Sequence, residues 1–159
     1  MRAVTLRRAL PEDAARLNAA LRALSQSMGD SHRADDGQIR KALAGVCQAI
    51  LAEAGGDGAL AGAAMFSPLF STTRGMAGAY VSDLWVAPPW RGAGLGQLLL
   101  ASVRDEAARE WGAGFLRLGV YSDNTRARAL YERLGFAEAA DEHYLTLGGP
   151  ALAALKGEK

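Results

Sequence analysis

Apolar and polar residues alternate along Val4-Thr5-Leu6-Arg7-Arg8-Ala9, which predicts a short strand. Pro11-Glu12-Asp13 then opens a helix, because proline suits a first turn and the acids suit the positive end of the helix dipole. Leu17, Leu21, Leu24 and Met28 follow at helical spacing until Gly29 stops the run. The polar stretch 29–37 (GDSHRADDG) reads as a loop, and a second helix is expected from Gln38 to Glu53, ahead of Gly55-Gly56. There the period changes. Strands are expected at Ala59–Ser67 and Gly78–Val86, joined by a turn-rich stretch with Pro68, Ser71, Thr72, Thr73 and Gly75. Gly94–Trp111 carries the clearest helical pattern, with Leu95, Leu99, Val103, Ala107 and Trp111 on one side and Arg104, Asp105, Arg109 and Glu110 on the other. Phe115–Val120 alternates as a strand. A short helix is expected from Thr125 to Leu134, with Ala127, Leu130, Tyr131 and Leu134 on one face and Gly135 as its stop. Phe136–Leu147 returns as one or two strands, and from about residue 148 the chain reads as a loosely held tail. No repeat or linker interrupts it, so one α/β domain over 1–159 is expected.

Composition narrows the class. Half of the 159 residues are hydrophobic and 22% are charged, the balance of a soluble globular chain. The 18 Lys and Arg against 17 Asp and Glu leave a net charge of +1, which argues against a nucleic-acid partner. A single Cys47 excludes an internal disulfide framework and fits a reducing, cytoplasmic compartment. Charged residues or glycines interrupt every apolar stretch, so neither a membrane span nor a signal peptide is expected. With two histidines and one cysteine far apart, a metal site has little support.

The informative segment runs from Tyr80 to Gln97 (YVSDLWVAPPWRGAGLGQ). A strand ends, Pro88-Pro89 forces the chain out of it, and Arg91-Gly92-Ala93-Gly94-Leu95-Gly96 opens the long helix. Glycines let successive backbone N–H groups converge on one point, and the helix behind adds unpaired donors and a positive dipole end. Such a turn can cradle an anion of pyrophosphate size; a ligand-free strand-to-helix turn is the competing account. A dinucleotide fingerprint starting at Gly92 would need glycine where Gln97 stands, and a P-loop would need a Lys that is absent. Arg91-Gly92-Ala93-Gly94-Leu95-Gly96 instead resembles the GCN5-related N-acetyltransferase (GNAT) family, whose motif of that form holds the pyrophosphate of acetyl-CoA. Downstream, Asn-Thr-Arg-Ala-Arg-Ala-Leu-Tyr-Glu-Arg-Leu-Gly-Phe, from Asn124 to Phe136, is similar to the family's Asn after the fifth strand and its Tyr-x-x-Leu-Gly-Phe phrase. The resemblance covers about residues 60 to 147.

The resemblance implies an α/β (α+β) fold, a mixed, mostly antiparallel sheet with splayed central strands flanked by helices. It implies N-acetyl transfer from acetyl-CoA, the cosubstrate, to a primary amine of a small molecule, by direct attack. The phosphates would lie on Arg91, Gly92, Ala93, Gly94, Leu95, Gly96 and Gln97. The pantetheine arm would pair with the backbone of Leu84, Trp85 and Val86, with Asn124 and Ala127 supporting the same ligand. Tyr131 would give a proton to the departing thiolate. A homodimer is common among members.

The amine itself needs help. An alkyl ammonium of pKa ~10.4 costs roughly 4–5 kcal/mol to deprotonate at pH 7. Asp83 is unusual within an apolar strand; it either relays that proton and orients the amine, or ties down backbone at a bulge or at the splay. Tyr80-Val-Ser-Asp-Leu-Trp-Val and the 66–72 stretch look like the diamine/polyamine branch, in which a Glu commonly stands directly before the Asp. Here Ser82 takes that place. Ser82 and His32, the latter in the 29–37 loop beside Asp30, Asp35 and Asp36, are the candidates to face the acceptor; a solvated loop histidine is the alternative for His32. Acetylation of a peptide or protein amine, and acyl-CoA binding without catalysis, remain the competing functions.

Overall fold

A computed structural model describes residues 3–157. The chain divides into two compact units, one ending at Tyr121 and one beginning at Ser122. The first holds β1 (Val4–Arg8), α1 (Ala14–Ser27), α2 (Asp36–Ala44), β2 (Gln48–Ala54), β3 (Leu60–Ser71), β4 (Met76–Val86), α3 (Leu95–Trp111) and β5 (Leu116–Leu118). The second holds α4 (Thr125–Arg133) and α5 (Gly149–Ala153).

The sheet runs in the order β1-β2-β3-β4-β5, antiparallel as far as β4, with β5 parallel to β4. It is the mixed, mostly antiparallel sheet the resemblance implies. Each face is covered. Ala49 and Leu51 of β2 and Ala63 and Met65 of β3 pack with Ala14, Leu17, Ala20 and Leu21 of α1 and Ile39 of α2. The alternate residues turn to α3, where Phe66 meets Trp111 with ring centroids 6.1 Å apart. Gly62 lies on that side too: a Cβ there would stand 2.9 Å from Leu99 Cδ1 and 2.9 Å from the Trp85 carbonyl, so α3 can approach only over a glycine.

An ion-pair cluster ties the first strand to the first helix. Arg7 makes two hydrogen bonds to Asp13, both 2.8 Å, and a third to Glu53 at 2.9 Å. Arg16 reaches Glu53 at 2.8 Å, and Asp13 also accepts from the Leu10 N–H at 2.8 Å. The Arg7 guanidinium holds the Asp13 carboxyl at about 2.

Several sequence expectations are corrected; β3 runs on through Pro68 to Ser71, which were expected in the turn, and β4 begins at Met76. The helix expected over Gln38–Glu53 is instead α2, which starts earlier behind its cap Asp35, followed by strand β2. Ala49, Ile50, Leu51 and Ala52 are all buried, and a strand covered on both faces loses the alternation that marks a strand. Cys47 accordingly sits in the α2–β2 connection, not on a helix. Phe136–Leu147 forms no strand among the described residues; alternation specifies a face, not a partner, and Tyr144 and Leu145 are 74% and 94% exposed. The strand expected at Phe115–Val120 shortens to Leu116–Leu118. The expected tail contains the exposed α5, and Glu158 and Lys159 lie outside the described residues. No helix among the described residues is long and apolar enough to cross a membrane.

Candidate active site

Asp83 owes its direction to a bulge. Met65 pairs with Asp83 while the next residue, Phe66, pairs with Val81, so Ser82 is an extra residue on β4. In a regular strand Val81 and Asp83 would share a face. With Ser82 inserted, Val81 pairs with Phe66 on the α3 face and Asp83 pairs with Met65 on the α1 face. Asp83 is half-buried there; burial pushes its carboxyl up, while the Ser82 hydroxyl and the His32 charge act in the opposite sense. Burial, and then the Asp83 charge, push the Cys47 thiol up as well. Ser82 itself is exposed, its hydroxyl donating to the Met65 carbonyl at 3.3 Å.

His32 is half-buried and bonded on both ring nitrogens, not a solvated loop residue. Nε2 lies 2.7 Å from Asn18 Oδ1 and Nδ1 lies 3.0 Å from Ser25 Oγ. Asn18, fully buried, donates to the Ala34 carbonyl at 3.1 Å and to Asp36 at 2.8 Å. The other acids of the 29–37 stretch have structural roles. Asp35 caps α2 by accepting from the Gln38 N–H at 2.8 Å, and Asp30 accepts from the Tyr121 hydroxyl at 3.0 Å.

The far end of β4 has an open edge. β5 pairs only with Ala79, Tyr80 and Val81, so among the described residues no strand lies beside Ser82–Val86 on that side. Leu84, Trp85 and Val86 are half-buried along this splay. A single 3-10 turn, Pro88–Trp90, then leads to Arg91, whose Nε donates to the Val86 carbonyl at 3.0 Å. Gly92 and Gly94 take φ of +78° and +81°, values that disfavour any other residue, and a Cβ on either would meet nothing within 4 Å. Gly94 precedes α3 with no side-chain cap, and the Leu98 N–H makes the bond back to it at 3.1 Å. The N–H groups of Leu95, Gly96 and Gln97 therefore have no acceptor within the helix.

In the second unit Asn124 caps α4, its side-chain oxygen accepting from the Ala127 N–H at 3.2 Å. The helix ends in a Schellman motif: the Phe136 N–H bonds to the Tyr131 carbonyl at 2.9 Å and the Gly135 N–H to the Glu132 carbonyl at 3.0 Å, with Gly135 at φ +93°. Phe136 folds back on Tyr131, ring centroids 5.5 Å apart. The Tyr-x-x-Leu-Gly-Phe phrase is thus a helix stop that fixes the Tyr131 ring. Burial pushes the Tyr131 phenol up, which keeps its proton in place at neutral pH. Arg128 is paired with Glu132 and Glu138 at 2.9 and 2.6 Å.

Residues 17–136 match the Acetyltransferase (GNAT) family. The chain belongs to that family. A thialysine N-epsilon-acetyltransferase from Bos taurus is 36% identical over 92 residues, 56% of this chain and 53% of that protein. The chain spans about half the length of the curated relatives it matches. Its fold is that of a ribosomal-protein-alanine N-acetyltransferase from Brucella melitensis biovar Abortus 2308, with a TM-score of 0.75 at 24% identity over 91% of this chain and 100% of that one. An aminoglycoside N-acetyltransferase in complex with CoA superposes with a TM-score of 0.71 at 17% identity, over 94% of this chain and 97% of that one.

Within this GNAT fold, the first unit gathers Asp83 and His32 on the α1 face, and Leu84–Val86 leads into the Arg91–Gln97 turn. Asn124 caps α4, which carries Ala127 and Tyr131. Asn18 and Ser25 escaped the sequence reading. Asn18 did leave a signal, standing four residues after Ala14 and three before Leu21, a core position of the α1 stripe given to a polar residue. A cavity of about 280 Å³ lined by Arg8, Ile50, Ser102 and Glu106, among others, contains none of the predicted site residues.

Proposed function

We propose that this protein is an N-acetyltransferase that moves an acetyl group from acetyl-CoA to a primary amine of a small molecule by direct attack. The observation that carries the reading is the turn before α3: two glycines at positive φ, open space where their side chains would be, and an uncapped helix N-terminus. Acetyl-CoA would supply the thioester carbonyl as electrophile. Its fit rests on chemistry the turn presents: the N–H groups of Leu95, Gly96 and Gln97, with Gly92, Ala93 and Gly94 leaving room, suit a diphosphate. Arg91 braces this turn on the strand through the Val86 carbonyl. The unpaired β4 edge at Leu84, Trp85 and Val86 offers backbone donors and acceptors to an extended amide-bearing arm, as an added strand would find.

Asp83 is the group we assign to the acceptor amine, as proton acceptor or orienting anion; half-burial favours its taking a proton, and the bulge aims it at the α1 face. Ser82 and His32 would face the same substrate region. Tyr131 is assigned the acid role toward the leaving thiolate, a phenol that holds its proton at neutral pH and can then surrender it. Asn124 serves that assignment by capping the helix that carries Tyr131. A small-molecule acceptor is supported by the similarity to the thialysine N-epsilon-acetyltransferase, to a streptothricin acetyltransferase from Streptomyces lavendulae, 42% identical over 83 residues, and to an L-ornithine N5-acetyltransferase from Arabidopsis thaliana, 30% identical over 99 residues.

The test is calorimetry of the purified chain with CoA, followed by CoA release across diamines, amino acids, aminoglycosides and short peptides. Heat with CoA and turnover on a small amine are expected. No heat with CoA overturns the assignment, turnover on peptides alone moves it to protein amines, and binding with no turnover on any amine reduces the protein to an acyl-CoA-binding module.

A further inference from the structure

The face of the sheet that carries Asp83 carries a second group of side chains further back along β4. Met65 pairs with Asp83 and Ser67 pairs with Tyr80, so Tyr80 stands on the same face, two residues along the ladder as β3 counts them. Arg117 of β5 lies beside Tyr80 in the parallel register. Phe115 precedes it by two residues and shares its face, and the Ala79 N–H donates to the Phe115 carbonyl at 2.9 Å, which extends the ladder to it. The Phe115 ring rests on Gly78, where a Cβ would come 2.6 Å from the ring, so only a glycine leaves room for this seat. Tyr80 is exposed, and Phe115 and Arg117 are half-buried.

Two guanidinium groups meet that ring. Arg74 Cζ lies 5.1 Å and Arg117 Cζ 5.4 Å from its centroid. Arg7, Arg8 and Arg16 are each paired with carboxylates, whereas among the described residues neither Arg74 nor Arg117 forms an ion pair. Two like charges gathered on one ring with no counterion make a place for an anion. A guanidinium presents a planar fork of N–H donors that matches a carboxylate. Asp83 is the opposite pole on the same face, and ladder spacing puts its Cα roughly 8 Å from that of Arg117. An extended chain of about four or five carbons spans that gap between an ammonium at one pole and a carboxylate at the other, with the Tyr80 ring between them.

We propose that Arg117, with Arg74 across the Phe115 ring, takes the carboxylate of the acceptor, and that the acceptor is an amino acid acetylated on its side-chain amine. The proposal rests on the acetyltransferase reading above, with Asp83 at the amine. The side-chain nitrogen forms an amide bond to the acetyl carbon as the thioester C–S bond of acetyl-CoA breaks. Of the two hydrogens the ammonium gives up, one ends on the CoA sulfur and the other in water. An α-amine stands next to the carboxylate and cannot reach Asp83 while Arg117 holds that carboxylate. A diamine of the same length brings a second cation to Arg117, so it loses the bonds and meets repulsion as well.

Lysine against cadaverine and ornithine against putrescine are pairs that differ only in the carboxylate. In the faster pair the amino acid should be favoured by about tenfold or more in kcat/KM, with the acetyl group on the side-chain amine by mass spectrometry of the product. In Arg117→Gln that ratio should fall by about tenfold or more, through KM for the amino acid and not through kcat. A diamine used as well as its amino acid, acetylation of the α-amine, or an unchanged ratio in the variant overturns the proposal and leaves the acetyltransferase reading standing. CoA calorimetry separates the two sources of an anion: parent-like affinity in Arg117→Gln is expected, and a loss of about tenfold assigns Arg117 to a CoA phosphate and overturns the proposal. Should the variant not fold, the ratio in the unmodified protein decides alone. If no amine is acetylated, the acetyltransferase reading fails. Calorimetry of lysine and ornithine against the CoA-saturated protein then decides the subsite, and the absence of heat with both overturns it.

Discussion

Asp13→Asn is the sharpest probe of how the first helix is held. The Asp13 carboxyl, in a residue only 7% exposed, accepts two hydrogen bonds from Arg7 and one from the Leu10 N–H. Arg7 divides its guanidinium between Asp13 and Glu53, so the strength of the pairing is read from the more buried partner. Asp13 is held at about 2 against an ordinary 3.8. At about 1.4 kcal/mol per unit, the folded state gains about 2 kcal/mol from that carboxylate. The sign follows from a lowered carboxyl: the stabilisation is complete above about pH 4 and fades as the pH falls towards 2. Asparagine can still accept from Leu10 but cannot carry the charge. The variant should lose about 2 kcal/mol at pH 7 in urea denaturation and should show a flatter decline between about pH 4 and 2 than the parent. Parallel stability–pH curves for the two proteins in that window would refute the reasoning.

Tyr131→Phe should lower turnover at least about tenfold, the usual lower range for a lost general acid, while CoA calorimetry stays nearly unchanged. The phenylalanine ring keeps the contact with Phe136, so an unaltered rate would remove Tyr131 from the acid role. Asn124→Ala removes the α4 cap and should cost about 1 kcal/mol, read as reduced helicity or faster amide exchange in residues 125–133. Gly62→Ala should destabilise by roughly 1–3 kcal/mol in denaturant, since its Cβ meets a backbone carbonyl at 2.9 Å that cannot swing aside as a side chain could. A neutral Gly62→Ala would mean that α3 can lift from the sheet.

Local chemistry made part of this protein legible from its residues. The helix α3, its glycine entry and the α4 stop each follow from side chains within a few positions of one another: Gly94 and Gly112 both take positive φ at the two ends of α3, and Gly135 does so after α4. What escaped depends on neighbours distant in sequence. β2 looked helical because covering on both faces removed its alternation. Asn18 looked like an ordinary helix residue until His32 and Asp36, 14 and 18 residues on, closed around it. The strands expected in 136–147 had the right period and no partner among the described residues.

The bulge at Ser82 joins these observations. A glutamate or a serine at that position fits an alternating strand equally well, so nothing periodic marks it. Yet the inserted residue decides the face on which Asp83 stands. Ladder pairing places Val81 under α3 and Asp83 under α1, within the electrostatic reach of His32 and Cys47. Past this position β4 loses β5 as a neighbour. A single extra backbone residue thus turns a carboxylate to the face of the His32 network just where the strand edge falls open, and beyond it the chain runs on into the glycine turn. Drawing Ser82 into a regular ladder, without the bulge, would return Asp83 to the face of Val81 and turn each of Leu84, Trp85 and Val86 to the opposite side. The role of Asp83 and the course of the exposed edge therefore cannot be altered independently.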